Sequence, residues 1–248
     1  MNGCSARFIA QLESALTANI RLHSVDSFVQ TYKVNHPEEV VPYTKTIYRY
    51  IKEGLLAIKP IDLPKMVSIR KRSKKVMKTN KKTLGKSIEE RPEYINDRSE
   101  FGHWEIDLVL GKKTKGEAVM LTLVERQTRY ALGVKLEDKQ SQTINRAVTH
   151  LISQYPIASI TADNGSEFSL LSTLEAVDVY FAHPYSSHER GTNENFNGLL
   201  REYVPKGISL NPLTSEELDN YLTAINERPR RLLQYQSSTF LFELARTT

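Results

Sequence analysis

Residues 104–110 alternate between apolar and polar side chains, and this period of two predicts a β-strand. Glu105 and Asp107 would lie on one face of the strand, opposite a face of four apolar side chains. Apolar runs at 118–124 and 130–136 follow, joined by a short charged turn. The three runs together predict an antiparallel meander.

Helical and strand patterns alternate in the remainder of the chain. Apolar residues recur at helical spacing after Ser141, and a buried strand pattern ends just before Asp163. The predicted elements are a helix at 141–154, a strand at 157–162, a short helix at 170–176, a strand at 177–182, a helix from about Ser187 and two terminal helices. A meander followed by alternating helices and strands predicts a mixed five-stranded α/β sheet with flanking helices.

Two short helical patterns occur near the N-terminus, at Val25–Tyr32 after the capping residue Ser24, and at Pro42–Glu53. The second would expose a polar and basic surface, as a recognition helix in a DNA major groove does. An ordinary helical hairpin has the same pattern, so both interpretations stay open. The exposed residues of this helix would be Lys45, Tyr48, Arg49 and Lys52.

Positive charge is concentrated in the first 100 residues, which contain 19 Lys and Arg against 11 Asp and Glu, while the rest contains 15 against 18. The segment 65–86 has ten basic residues and no acidic one. Such a segment gains free energy by displacing counterions from phosphates, so it predicts a DNA contact, with a solubilising linker as the alternative. Its candidate DNA-binding residues include Arg70, Lys71, Arg72, Lys74 and Lys75.

The 248 residues are 40% hydrophobic and 25% charged, which is ordinary for a soluble protein. The longest apolar run, residues 118–124, is far shorter than the roughly 20 residues of a membrane span, and the N-terminus does not resemble a signal peptide. We therefore expect a cytoplasmic protein. The single cysteine, Cys4, excludes an internal disulfide framework and a zinc site of paired cysteines.

Two predicted strands carry an aspartate that would be costly to bury alone. A wet edge strand would explain Asp107, and an ordinary Asp-Asn-Gly turn would explain Asp163. If the helix around Glu194 meets the ends of these strands, three carboxylates converge, as Mg²⁺ and Mn²⁺ prefer. We expect Glu105, on the same strand face as Asp107, to tolerate an amide better.

The helix around Glu194 has an apolar stripe and an opposite polar face. An ordinary surface pair at i,i+4 between Arg190 and Glu194 explains that face in the simplest way. The alternative is a surface that contacts DNA. Its contact residues would be Arg190, Asn193, Asn197 and Arg201.

Four segments resemble the core of the DDE transposases of bacterial insertion sequences, in the family named after insertion sequence thirty. The segments are Trp104-Glu-Ile-Asp107, Thr161-Ala-Asp-Asn-Gly-Ser-Glu-Phe168, Phe181-Ala-His-Pro-Tyr-Ser-Ser187 and Glu189-Arg-Gly-Thr-Asn-Glu-Asn-Phe-Asn-Gly-Leu-Leu-Arg201. The resemblance implies a ribonuclease H-like fold in which two aspartates and a glutamate bind two divalent ions, Mg²⁺ or Mn²⁺. Carried over by position, these residues are Asp107, Asp163 and Glu194.

The resemblance also implies a division of the chain. Residues 1–64 would form a helical, helix-turn-helix-like DNA-binding region, residues 65–98 a basic linker, and residues 99–248 a ribonuclease H-like integrase catalytic core. Family members usually open with a further helix-turn-helix that binds the terminal inverted repeats. Because this chain begins where that module would be ending, we expect an N-terminal truncation.

The sequence differs from the family pattern in one spacing and in two motif segments. Thirty residues separate Asp163 from Glu194, where members usually have a few more. His188 stands in place of a usual Trp, and Thr239-Phe-Leu-Phe-Glu243 in place of Thr-Pro-x-Glu. None of these differences removes a carboxylate of the implied triad.

The implied activity is metal-dependent cleavage of DNA at the ends of an insertion sequence, followed by transfer of the freed 3′-hydroxyl to target DNA. The implied partners are the inverted repeats, the target DNA and further copies of the chain in a homo-oligomer, with no membrane partner. Two alternatives stay open at this point. One is a non-catalytic DNA-binding remnant that represses transposition, and the other is a nuclease without strand transfer.

Overall fold

The structure is a computed structural model, and it describes residues 4–63, 84–184 and 186–247. These residues form two compact units. The first contains residues 4–63 together with Glu227–Phe240, and the second contains residues 84–226 together with 241–247.

Three helices form the first unit: α1 at Ala6–Thr17, α2 at Val25–Asn35 and α3 at Thr44–Lys52. The α2 helix begins after Ser24 because Ser24 and Ser27 cap it reciprocally. Ser24 Oγ accepts from the Ser27 backbone N at 3.1 Å, and Ser27 Oγ accepts from the Ser24 backbone N at 2.8 Å. The predicted cap at Ser24 is therefore confirmed.

The core of this unit joins all three helices, and α3 contributes Ile47 and Ile51 to it. Asp26, in the first turn of α2, accepts from Thr44 Oγ1 at 3.0 Å and from the Tyr235 hydroxyl at 3.0 Å. One carboxylate thus ties α2 to the start of α3 and to the returning segment Glu227–Phe240. Sequence reasoning did not predict that this segment packs with the first unit.

The second unit is built on a mixed six-stranded sheet in the order β1-β6-β5-β2-β3-β4. The strands β2, β3 and β4 form the predicted antiparallel meander, whereas β5 pairs in parallel with β2 and β6, and β1 in parallel with β6. The strands are β1 at Lys86–Ser87, β2 at His103–Leu110, β3 at Val119–Glu125, β4 at Ala131–Leu136, β5 at Ser159–Ala162 and β6 at Asp178–Phe181.

Helices cover the sheet on both faces. The α-helices after β1 are α4 at Glu93–Asn96, α5 at Ser141–Gln154, α6 at Gly191–Leu200, α7 at Ser215–Glu227 and α8 at Ser238–Thr247, and residues of the last four contribute to the cores on the sheet. One core cluster combines α5 residues with Trp104 and Ile106 of β2, and the other combines α6 and α7 residues with Val109 of β2. The predicted alternation of β2 is confirmed, and it places Glu105 and Asp107 on the face covered by α6.

Two elements differ from the prediction. In place of the short helix predicted at residues 170–176, the structure has a 3₁₀ helix at Ser166–Thr173. Its buried residues, Phe168 and Leu171, are three positions apart, the spacing at which a 3₁₀ helix aligns side chains. Strand β1 adds a two-residue edge to the predicted five strands, and the chain passes so close to β6 there that a Cβ at Gly85 would lie 2.8 Å from the Phe181 ring.

Candidate active site

Asp107 lies in the middle of β2, opposite Thr122 of β3. Its side chain is partly buried and is held by two donors from the α6 region. Asn197 Nδ2 donates to Oδ2 at 2.7 Å, and Arg190 Nη1 donates to Oδ1 at 3.1 Å. The carboxylate is therefore fixed in orientation by the residues that flank Glu194.

Asp163 directly follows β5, the strand that pairs in parallel with β2. Its Oδ1 accepts from the Gly165 backbone N at 3.0 Å, and its Oδ2 accepts from Arg190 Nη2 at 3.2 Å. Burial raises the pKa of Asp163, and the nearby Asp107 carboxylate raises it further, while the Arg190 guanidinium opposes both effects.

A single guanidinium joins the two aspartates. The side chain of Arg190 is 11% exposed, and its two terminal nitrogens each contact one carboxylate. A planar fork can bridge two carboxylates in this way, whereas a point charge would contact them less specifically. The sequence-predicted pair Asp107 and Asp163 is therefore brought together around one positive charge.

Glu194 lies in the first turn of α6 and is exposed. It is four residues after Arg190 and three before Asn197, and both of those side chains reach Asp107. In the described part of the chain, no hydrogen bond or ion pair joins the Glu194 carboxylate to either aspartate. The structure thus places Glu194 on the helix that borders the aspartate pair without bringing the three carboxylates into contact.

The aspartate pair fits a divalent cation by one observation. The Asp163 carboxyl has a raised pKa, in part because of the Asp107 carboxylate, and one positive charge already bridges the two side chains. This donor set therefore attracts cations and offers the hard oxygens that Mg²⁺ and Mn²⁺ prefer. The carboxylates that this donor chemistry would use are those of Asp107, Asp163 and Glu194.

Behind this site lies a buried ion pair that sequence reasoning assigned no role. Glu105 is fully buried, and one of its oxygens accepts from Arg126 Nη1. Its other oxygen accepts from the backbone N of Asn193 at 3.1 Å. The signal that could have indicated this role is the strand alternation itself, since Glu105 shares a face with Asp107.

Further arginines surround this pair. Arg129 Nη1 donates to Thr192 Oγ1 at 2.7 Å, and Arg91 Nη1 donates to Thr161 Oγ1 at 3.0 Å. Burial lowers the pKa of Arg91 and of Arg129 to about 10 each. Three arginines within one interior are mutually repulsive, and the carboxylates of Glu105 and Glu125 offset that repulsion.

The surface of α3 agrees with the pattern seen in the sequence. Its buried side is formed by Ile47 and Ile51, while the opposite side is exposed and borders a shallow depression of about 710 Å³. The predicted DNA-binding residues on that exposed side are Lys45, Tyr48, Arg49 and Lys52.

The other predicted DNA-binding residues have mixed outcomes. Asn193 is 1% exposed, so in this structure it offers no surface to DNA. Arg190 and Asn197 are engaged with Asp107, and Arg201 donates to the carbonyl oxygens of Val204 and Leu110 at 3.2 and 2.9 Å. The residues Arg70, Lys71, Arg72, Lys74 and Lys75 lie outside the described residues.

One compact group of potential metal ligands occurs among the described residues, and it is in the first unit. The ligand atoms of His36, Glu38 and Glu39 lie within 4.8 Å of one another. The Glu39 carboxylate already accepts from Ser5 Oγ at 2.8 Å and from the Tyr32 hydroxyl at 2.9 Å. This group is therefore explained by contacts within the helical core.

The chain is similar to one known domain family and to several known proteins. Residues 97–187 match the integrase core domain family. A probable transposase for insertion-like sequence element IS1161 from Streptococcus salivarius is 59% identical over 247 residues, which cover 100% of this chain and 72% of that protein. The transposase InsI for insertion sequence element IS30A from Escherichia coli K12 is 36% identical over 209 residues, which cover 80% of this chain and 54% of that protein.

Among solved structures, the catalytic core domain of BIV integrase aligns with a TM-score of 0.46 and 15% identity, covering 59% of this chain and 96% of that one. The chain spans about half the length of the Escherichia coli relative. No helix in the described ranges is long and apolar enough to cross a bilayer.

Proposed function

Because the chain belongs to the IS30 family of insertion-sequence transposases, we propose that it cleaves DNA at the ends of an insertion sequence and joins the freed 3′-ends to target DNA. The ribonuclease H-like architecture of its second unit is that of the integrase core family. The observation that carries the proposal is the pair Asp107 and Asp163, held on adjacent strands around one positive charge.

The residues that would hold divalent ions are Asp107, Asp163 and Glu194. A bound Mg²⁺ or Mn²⁺ supplies Lewis-acid activation of the attacking oxygen and stabilisation of the leaving oxygen at a phosphodiester. Asn197 keeps Oδ2 of Asp107 in place, and Gly165 does the same for Oδ1 of Asp163. The protein thus fixes the direction in which each carboxylate presents its oxygens.

Arg190 would serve the same site in two ways. Its guanidinium offsets the repulsion between the Asp107 and Asp163 carboxylates. Its fork geometry also matches a phosphate group, the chemistry that the DNA backbone brings to this site. Arg190 is therefore proposed as a residue that exchanges carboxylate contacts for phosphate contacts.

The exposed side of α3 is proposed as a DNA-binding surface. Two lysines, an arginine and a tyrosine on one helical side can contact phosphates and base edges in a major groove. The basic segment 65–86 would add contacts that do not depend on sequence. Together these regions would bring inverted repeats and target DNA to the catalytic core.

Three further parts of the proposal rest on the family alone. The chain would act as a homo-oligomer on DNA, and it would work in the cytoplasm, where bacterial DNA lies. The division into a DNA-binding region at 1–64, a linker at 65–98 and a catalytic core at 99–248 is also retained as a proposal about function, although residues 84–98 lie in the second compact unit and Glu227–Phe240 in the first.

The test is nicking of a supercoiled plasmid with Mg²⁺ by Asp107→Asn, Asp163→Asn and Glu194→Gln variants. Each amide keeps the shape of the side chain but loses the charge that a divalent ion needs, so each should lower cleavage by roughly 100-fold or more while DNA binding persists. The control is Asp178→Asn, since Asp178 is an exposed residue of β6 paired with Lys86. Wild-type nicking by all three variants would refute the proposal.

The same assay separates the alternatives. A repressor remnant would bind DNA without nicking it, and a nuclease would nick it without joining ends. A strand-transfer assay with labelled DNA ends therefore distinguishes a transposase from a nuclease, and products joined to target DNA are the expected result.

A further inference from the structure

Helix α6 lies along strand β2 with matching spacing. The Asn193 backbone N contacts Glu105, and the Asn197 side chain contacts Asp107. Four helical residues rise about 6 Å, and two strand residues rise about 6.6 Å, so one helical turn covers the interval between the two acids. The helix is therefore held in register with the strand at two successive points.

The first of these points acts on the helix N-terminus. The first four N–H groups of a helix lack partners within the helix, and no side chain caps α6 from Arg190. Glu105 Oε2 accepts one of these N–H groups, that of Asn193, and the positive end of the helix dipole favours a carboxylate there. The neighbouring hydroxyl of Thr192 accepts from Arg129.

The carboxylate of Glu105 cannot easily turn away from the helix. It is fully buried, and its other oxygen is held by Arg126, which is 3% exposed. Arg126 in turn donates through Nε to the Ile95 carbonyl oxygen at 3.1 Å. Glu105 therefore connects the rigid interior of the sheet to the first turn of α6, where Glu194 is the next residue after Asn193.

We propose that Glu105 is a positioning residue that sets the distance between Glu194 on α6 and Asp107 on β2. This inference rests on the proposed function, because it concerns the third carboxylate of the same site. Glu105 acts through the backbone of Asn193 and Arg126 acts through Glu105. Neither needs to touch DNA or an ion.

The test compares two uncharged variants of position 105, one with a side-chain oxygen that can accept a hydrogen bond and one without. Removing Arg126 alone would leave a buried carboxylate without its partner, so both variants carry Arg126→Met. In Glu105→Gln/Arg126→Met the side-chain oxygen can still accept the Asn193 N–H, whereas in Glu105→Leu/Arg126→Met it cannot. Folding of both is followed by the fluorescence of Trp104, the single tryptophan, which is fully buried in the same strand.

The readout is the dissociation constant for Mn²⁺, measured without DNA. Replacing a residue that orients a metal ligand usually weakens metal affinity by about 10- to 100-fold. We therefore expect the double variant with Glu105→Leu to bind Mn²⁺ about tenfold more weakly than the double variant with Glu105→Gln. When Glu194→Gln is added to both, the difference should vanish. A difference that persists would show that residue 105 does not act through Glu194, and equal affinities in the first comparison would overturn the inference.

A matched control is Glu117→Gln. Glu117 is also a carboxylate that accepts a backbone N–H, that of Leu210, and no hydrogen bond or ion pair joins it to α6 among the described residues. Its replacement should leave Mn²⁺ affinity unchanged, and a tenfold loss there would also overturn the inference.

The same experiment separates the two proposals. If Glu194→Gln alone leaves Mn²⁺ affinity unchanged, the proposed metal site fails. If it weakens binding while the two variants at position 105 remain equal, only the positioning role of Glu105 fails.

Discussion

Replacing Arg190 by Met should strengthen the binding of divalent ions to the aspartate pair. Arg190 places one positive charge within 3.2 Å of an oxygen of both Asp107 and Asp163. An ion bound by the same oxygens would be repelled by that charge. Methionine fills a similar space without charge, so it removes the repulsion and keeps much of the packing.

The size of the effect follows from Coulomb's law. Two unit charges 4 Å apart interact by about 1 kcal/mol in water and about 4 kcal/mol near a protein surface. The pair is partly exposed, so the water value is the safer basis, and a divalent ion doubles it to about 2 kcal/mol. That energy corresponds to roughly 30-fold in the dissociation constant, which is an upper bound because Arg190 can rotate away from the ion.

The assay is titration with Mn²⁺ in the absence of DNA. DNA cleavage is unsuitable as a readout because Arg190 is itself a proposed contact for phosphate. The first control is Arg190→Lys, which keeps the charge and should bind Mn²⁺ nearly as the wild type does. The second is Arg146→Met, on the helix that covers the opposite face of the sheet, and it should change nothing.

An unchanged or weakened affinity in Arg190→Met would refute this reasoning, provided that Trp104 fluorescence shows an intact fold. It would mean that the guanidinium holds the carboxylates in a geometry the ion requires, and that this organising effect outweighs the repulsion. Equal strengthening in Arg190→Met and Arg190→Lys would point instead to a loss of the fork contacts as the cause.

Three further predictions concern stability and DNA binding. Phe242→Ala should lower the free energy of unfolding by about 3 to 5 kcal/mol, because Phe242 is buried and the centroid of its ring lies 4.2 Å from that of Tyr130. Leu244→Ala, at an exposed position, should lower it by under about 0.5 kcal/mol, and equal losses in urea titrations would contradict this prediction. His183 Nδ1 donates a hydrogen bond to the Glu189 carboxylate, and this raises the pKa of His183 above 6.5. Wild type should therefore exceed His183→Gln in stability below about pH 6.5 and lose that advantage as pH rises through the raised pKa; a constant difference between about pH 5.5 and about pH 8.5 would argue against it. Replacing Lys45, Arg49 and Lys52 by Gln should reduce the slope of log K against log salt by about 3, and an unchanged slope would remove α3 from the DNA-binding surface.

The strands around the site could be predicted because their signals are local. The alternation of β2 fixes which residues share a face, and the sequence Asp-Asn-Gly marks the end of β5. A pattern of period two predicts which side chains share a face of the strand, but it does not predict which helix covers that face. For that reason the sequence identified Asp107 and Asp163 as site candidates without showing that Arg190 joins them.

Glu105 illustrates the same limit more sharply. The sequence predicts that it tolerates an amide better than Asp107, since both acids share a strand face and the motif points to Asp107. Its complete burial and its pairing with Arg126 depend on residues 21 positions away and on the placement of α6. Removing one charge of a buried pair leaves the other without compensation, so Glu105→Gln should lower the free energy of unfolding, while its effect on cleavage stays a prediction.

The return of Glu227–Phe240 to the helical unit depends on contacts between distant parts of the chain. Tyr235 reaches Asp26, and Arg228 Nη2 donates to the Arg21 carbonyl oxygen at 2.7 Å. Such contacts leave no periodic trace in the sequence, and the segment itself is short. The sequence alone therefore places the C-terminal helical patterns in the catalytic core, next to which they lie along the chain.

That return has a consequence for how the protein is made. A ribosome releases α1, α2 and α3 long before it synthesises Arg228 and Tyr235, so the helical unit waits for nearly the whole polypeptide before its last contacts can form. Most strands and helices of the second unit emerge in the meantime, but its core is completed only by Phe242 of α8. A nascent chain stalled after α7 should accordingly lack the last contacts of both units.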